Sequence, residues 1–116
     1  NFRAASPGYL HWGFNFWRGD PFDEVTGIIT ESGNVLPGGD AWIVYPGYRK
    51  LLSSIRLEAM RDGIVDYDLL KRFENVDPER AAELARRVVY NFERYDMDIP
   101  SFREKRREVL KALSTD

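Results

Sequence analysis

Tyr9-Leu-His-Trp-Gly-Phe-Asn-Phe-Trp17, bounded by Pro7-Gly8 and by Gly19-Asp20-Pro21, is the stretch on which the fold turns. Its aromatic residues favour extended backbone, and the Pro and Gly residues punctuate both ends. Alternation puts Leu10, Trp12, Phe14 and Phe16 on one face, with Tyr9, His11, Gly13, Asn15 and Trp17 on the other. Both faces are substantially apolar, which predicts a strand covered on both sides, as in a parallel sheet or barrel. Residues 18–40 carry turn signals at Asp20-Pro21, Ser32-Gly33-Asn34 and Pro37-Gly38-Gly39-Asp40, so they read as a long loop with room for a short strand over Gly27–Glu31. Ala41-Trp-Ile-Val-Tyr45 is a second extended stretch, stopped by Pro46-Gly47.

Helical patterns follow. Ser53 or Ser54 is placed to cap a helix with Ile55, Ala59 and Met60 at helical spacing, and Gly63 is expected to kink it. Ile64, Tyr67, Leu70 and Phe73 continue the apolar stripe beyond the kink. Asp77-Pro78 is a start signal, a capping side chain followed by Pro at the first helical position. Ala81, Leu84, Ala85, Val88, Phe92 and Tyr95 form the next stripe. Ser101-Phe-Arg-Glu104 reads as a capping box for a last helix with Val109, Leu110 and Leu113 on its apolar edge. The expected fold class is α+β: one or two strands and a long loop, then three to four helices.

Composition agrees with this division. Residues 1–50 hold eight of nine Gly, all three Trp and nine charged residues, against 27 charged residues in 51–116. An aromatic strand-and-loop region at 1–50 thus precedes a helical region at 51–116, within a single domain or domain fragment. The 116 residues allow one domain at most. With 43% hydrophobic and 31% charged residues the chain is of ordinary globular composition. A net charge of -2 argues against a phosphate-tracking nucleic-acid binder, and no run is long and apolar enough to span a membrane. Zero Cys excludes thiolate metal sites and thiol nucleophiles, while one His makes a His-rich metal site a poor reading. The chain begins Asn-Phe-Arg rather than with Met, so it is expected to be a processed product or part of something longer.

Several groups invite a chemical reading and most have a blander one. Asp23-Glu24 reads as a solvated acidic pair, Pro37–Asp40 as a turn, and His11 as a half-buried packing residue. Arg103, Lys105, Arg106 and Arg107 are interleaved with Glu104 and Glu108, as on a solvated helix face. Arg56, Glu58, Arg61 and Asp62 read as a structural ion-pair network. The aromatic residues are the exception. Trp12, Trp17 and Trp42 beside Asn15, Asp20 and Asp40 offer what a sugar ring needs, an indole for its C–H face and polar partners for its hydroxyls. Simple core packing of the same Trp residues is an equal alternative.

The segments Leu10-His-Trp12-Gly-Phe-Asn15-Phe-Trp17, Asp20-Pro21, Gly39-Asp40, Val44-Tyr45-Pro46-Gly47 and Ser54-Ile-Arg-Leu-Glu-Ala-Met-Arg-Asp-Gly-Ile-Val-Asp-Tyr-Asp-Leu-Leu70 together resemble the C-terminal part of the glycoside hydrolase 123 family, also catalogued as DUF4091. The resemblance covers roughly residues 8–72. It implies a parent (β/α)8 barrel acting without a cofactor on terminal N-acetyl-β-galactosaminides, in which the sugar's own 2-acetamido group is the nucleophile and an Asp-Glu pair assists. It further implies an exported or periplasmic bacterial enzyme. The family's catalytic pair lies on an earlier barrel strand, so no catalytic role passes to Asp23-Glu24. The chain is expected to be the closing β/α segment of such a barrel. In that position Trp17, Asn15, Trp12, Asp20, Asp40 and Tyr45 line a sugar pocket, because loops after barrel strands build the active-site face. Trp17, at the strand's C-terminal end, is expected to be the sugar platform, and Trp12 to be packed inside. Expected partners are a carbohydrate and either the remainder of the barrel or a second copy of the chain. A carbohydrate-binding module without catalysis and a helical interaction module are the competing readings.

Overall fold

The computed structural model describes residues 1–23 and 31–114. Among them are two short strands, β1 (Tyr45–Gly47) and β2 (Lys50–Leu52), and three helices, α1 (Ile55–Val76), α2 (Pro78–Val88) and α3 (Ile99–Leu113). The class is α+β, as the sequence pattern predicts. The chain forms two compact units, one comprising Leu10–Arg61 and the other Asn1–Tyr9 with Asp62–Asp116. No helix is long and apolar enough to cross a membrane among the described residues.

The unit containing the helices follows from its apolar stripes. Phe73 of α1, Ala81 and Leu84 of α2 and Val109 of α3 form its buried cluster, with Phe2, Leu69, Leu70, Ala112 and Leu113 packed around it. Asp77 caps α2 by accepting from the Arg80 N–H at 2.9 Å, with Pro78 in the first turn, as expected. Arg80 then forks between Glu83 and Glu108, tying α2 to α3 at 2.6 and 2.7 Å. The N-terminal residues belong here through Phe2, whose ring meets Tyr67 edge-on at 6.3 Å, and through Ser6, whose carbonyl accepts from the Tyr67 hydroxyl.

Three helical expectations need correction. The kink at Gly63 is absent: α1 is one 22-residue helix. A single helical Gly costs about 1 kcal/mol against Ala, too little to break a helix this long, and Ile64 on the expected inner stripe is 60% exposed. The α2 stripe ends at Val88, because Val89 turns extended and bridges Tyr95. Between them the Asn91 side chain accepts from the N–H groups of Glu93 and Arg94 and reverses the chain, which leaves Phe92 at the turn, 96% exposed. The third helix starts at Asp98 rather than at Ser101. Asp98 accepts from the Ser101 N–H, while the Ser101 hydroxyl is taken by Asp96, so the expected capping box does not form.

In the other unit the strand expected over 9–17 is irregular. It makes one isolated antiparallel bridge, Asn15 to Trp42. Pairing is confined to Phe14 and Phe16, whose backbones bond Ile43 and Ala41, because the segment finds a partner over a few residues only. Its inner-face residues are accordingly uncovered: Leu10 is 85%, Trp12 51%, Phe14 46% and Phe16 48% exposed. Ala41–Val44 supplies the buried apolar run instead. Pro46-Gly47, expected to stop that stretch, lies inside β1 of a tight hairpin. Pro46 faces Leu51, one step from the Gly47–Lys50 pair that closes the turn. Ladder bonds alternate along an antiparallel pair, so at this position the missing N–H of Pro removes none. The short strand expected over Gly27–Glu31 and the Glu24 member of the acidic pair lie outside the described residues, except for Glu31 itself.

Candidate functional site

The segment from Gly39 to Tyr45 is the frame on which the sequence-predicted site residues hang. It begins with a turn in which the Asp40 N–H donates to the Pro37 carbonyl at 3.0 Å, with Gly39 at a φ of +82°. A residue with a Cβ is strained in that conformation. The turn reading of Pro37–Asp40 is therefore correct. Gly13 crosses the frame so closely that a Cβ there would lie 2.6 Å from the Ala41 backbone.

Most of the candidate side chains are then fixed by a specific bond. The Trp12 indole N–H donates to the Asp40 carboxylate at 2.9 Å, and the Trp12 ring lies tilted against Phe16 with centroids 5.8 Å apart. His11 donates from Nε2 to the Asp40 carbonyl at 2.9 Å and is half-buried, as its packing reading requires. The Trp17 indole N–H donates to the Val44 carbonyl at 3.0 Å. Asn15 reaches the frame through its backbone bridge to Trp42 and is exposed. Asp20 turns back on its own loop, accepting from the Phe22 N–H at 2.9 Å. That loop in turn places the Phe22 ring against Tyr45, centroids 5.0 Å apart. Trp12 and Asp40 are thus joined directly, Trp17, Asn15 and Tyr45 share the frame, and Asp20 connects only through Phe22. In this chain Trp12 is the more exposed of these two indoles, and Trp17 is half-buried.

Sequence reasoning missed Arg56. It belongs to no ion-pair network with Glu58, which instead pairs Arg61 at 2.6 Å and accepts from the Ser53 hydroxyl. Arg56 lies in the first turn of α1, which Ser54 caps by accepting from the Leu57 N–H while donating to the Ile43 carbonyl. From there its Nε donates to the Trp42 carbonyl at 3.1 Å, and Nη2 donates to the Tyr45 hydroxyl at 3.2 Å. The signal for this in the sequence is the order Ser54-Ile-Arg56 at the start of α1, which does not specify a partner.

Arg56 dominates the local electrostatics. Its hydrogen bond draws the Tyr45 phenol below the ordinary range, and the neighbouring Trp42 indole acts in the same direction. The Trp42 indole N–H is buried, and no partner meets it among the described residues. Since most buried donors are paired, this orphan marks a polar spot under the frame. Chemically, the unit presents anchored indoles, an exposed amide and a carboxylate able to accept further hydrogen bonds. It presents no group of three or more metal-ligating side chains among the described residues.

Residues 2–73 match the glycoside hydrolase 123 catalytic domain. The chain belongs to the glycoside hydrolase 123 family. A search of curated proteins found no match.

Proposed function

We propose that this chain supplies sugar-contacting residues, without the catalytic Asp-Glu pair, to a glycosidase of this family that removes terminal N-acetyl-β-galactosaminides. In the substrate-assisted retaining scheme that the resemblance implies, the carbonyl oxygen of the sugar's 2-acetamido group attacks the anomeric carbon. An Asp holds that group and the adjacent Glu protonates the leaving oxygen. This differs from schemes in which a protein carboxylate is the nucleophile. The role of residues 10–45 is to bind and orient: indole faces for the sugar's C–H groups, Asn15 and Asp40 for its hydroxyls, with Tyr45 and Asp20 at the margin.

The observation that carries the reading is the anchoring of both indoles by their N–H groups to one frame, Trp12 through Asp40 and Trp17 through Val44. Anchored rings lose little freedom on binding, which favours recognition. The exposed side chains of Leu10, Phe14 and Phe16 are, in this proposal, covered by the remainder of the parent barrel or by a second copy. A titration of the isotope-labelled chain with methyl N-acetyl-β-galactosaminide tests the binding role. Saturable shifts of the Trp12 and Trp17 indole N–H signals are expected, with no hydrolysis of the aryl glycoside by the chain alone. Turnover that disappears on changing Asp23 or Glu24 would overturn the placement of the catalytic pair.

A further inference from the structure

Three contacts of one side chain account for the shape of the frame. The Arg56 guanidinium holds the Trp42 carbonyl and the Tyr45 hydroxyl at once, and it lies so close beneath Gly39 that a Cβ there would sit 2.8 Å from it. Its charge also faces the Tyr45 ring at 5.7 Å. Gly39, Trp42 and Tyr45 are the start, middle and end of the frame. Between these points lie the Asp40 carboxylate that holds Trp12 and the Val44 carbonyl that holds Trp17.

We propose that Arg56 is the positioning residue of this surface, a forked brace that sets the spacing and tilt of the Trp12 and Trp17 indoles without touching the sugar itself. Planar guanidinium geometry suits the task, because its donors diverge in fixed directions, whereas a Lys ammonium is a point charge on a flexible stem. The bareness of Gly39 fits the same design: a side chain there would displace the guanidinium from beneath the turn. The consequence for sugar binding rests on the reading given under the proposed function; the brace itself does not.

The test reads the three indole N–H signals of the labelled chain, assigned by Trp→Phe variants. In Arg56→Gln the Trp12 and Trp17 signals are expected to shift and to exchange with solvent at least tenfold faster, with the helical far-UV signal retained. Arg56→Lys, which keeps the charge and loses the fork, is expected to behave like Arg56→Gln. Unchanged indole signals in Arg56→Gln, or full restoration by Lys, would overturn the brace. Should Arg56→Gln fail to fold, Tyr45→Phe removes only one of the three contacts. It is expected to move the Trp17 signal and spare that of Trp12, and an unmoved Trp17 signal would overturn the proposal. Methyl N-acetyl-β-galactosaminide then separates the two claims. Binding by the wild-type chain that weakens at least tenfold in Arg56→Gln supports both, and equal binding by the two overturns the positioning role. No saccharide response in wild type, together with displaced indoles in Arg56→Gln, sinks the sugar reading alone.

Discussion

The two units of this chain are held together by different physics. In the unit formed by residues 1–9 and 62–116, apolar side chains recur at helical spacing and meet in one cluster around Phe73, Ala81, Leu84 and Val109. Among the described residues of the unit formed by residues 10–61, regular structure is scarce: a six-residue hairpin ladder and the first turns of α1. Its shape comes from side chains bonded to backbone, such as Trp17 to Val44, Ser54 to Ile43 and Arg56 to Trp42. Area burial is tolerant of detail, whereas a bonded frame is specific and fails at single points. The second kind of construction suits a surface whose side chains must be held in place.

All three Trp residues lie in the irregular unit and most of the helix in the other, so indole emission and far-UV ellipticity report on the two separately. The largest expected effect tests the helical side. Phe73→Ala removes a 4% exposed ring from the cluster and should cost about 3–5 kcal/mol, read as a lower urea midpoint of the helical signal. An equal shift of the emission midpoint would break the contrast by showing that the units melt as one. Next in size is Gly13→Ala, whose new Cβ meets backbone rather than a movable side chain. A cost of about 1–3 kcal/mol is expected, seen first in emission. Unchanged emission would mean that the crossing of Gly13 over Ala41 is not what orders the frame.

Gly63→Ala has the opposite sign. Gly63 is in the interior of α1, exposed, and an added Cβ meets nothing within 4 Å. Alanine should therefore stabilise the helical signal by about 0.5–1 kcal/mol; a loss of stability would revive a special role for that glycine. The effect least visible near neutrality is an acid one. Lys105, Ser101 and the Asp98 backbone hold the Asp96 carboxyl down at about 2, against an ordinary value of 3.8. A depressed folded value means that the stability Asp96 contributes is complete above 3.8 and is lost as pH falls through about 2. Asp96→Asn should flatten the acid limb of the helical transition in that window, and an identical limb in both proteins would remove the Lys105–Asp96 pair from the account.

What was legible in the sequence follows the same contrast. Asp77-Pro78 announces the start of α2 because a capping side chain and a fixed φ act within three residues. The stripe Ala81, Leu84, Ala85 is legible because periodicity is local. The start of α3 has two local signals in competition, Asp98 with Pro100 and Ser101 with Glu104, and the first prevails because Asp98 accepts from the Ser101 N–H while Asp96 takes the Ser101 hydroxyl. In the irregular unit, the aromatic residues are visible as candidates, and their anchors are not. Trp12 meets Asp40 across 28 positions and Trp17 meets Val44 across 27, and alternation along 9–17 assigns faces without saying which one is covered. Arg56 was hidden for a further reason: surrounded by Glu58, Arg61 and Asp62, its charge pointed to ion pairs, while its actual partners are a carbonyl and a phenol.

Sugar handling by the irregular unit is open to one decisive kinetic comparison. In a glycosidase that carries this segment, Trp17→Ala is compared with the parent on an aryl N-acetyl-β-galactosaminide, with far-UV ellipticity as the control for folding. A KM raised at least tenfold, or turnover lost, is expected, with the helical signal intact. Unchanged KM and kcat in a folded Trp17→Ala enzyme would contradict a sugar-handling role for the unit.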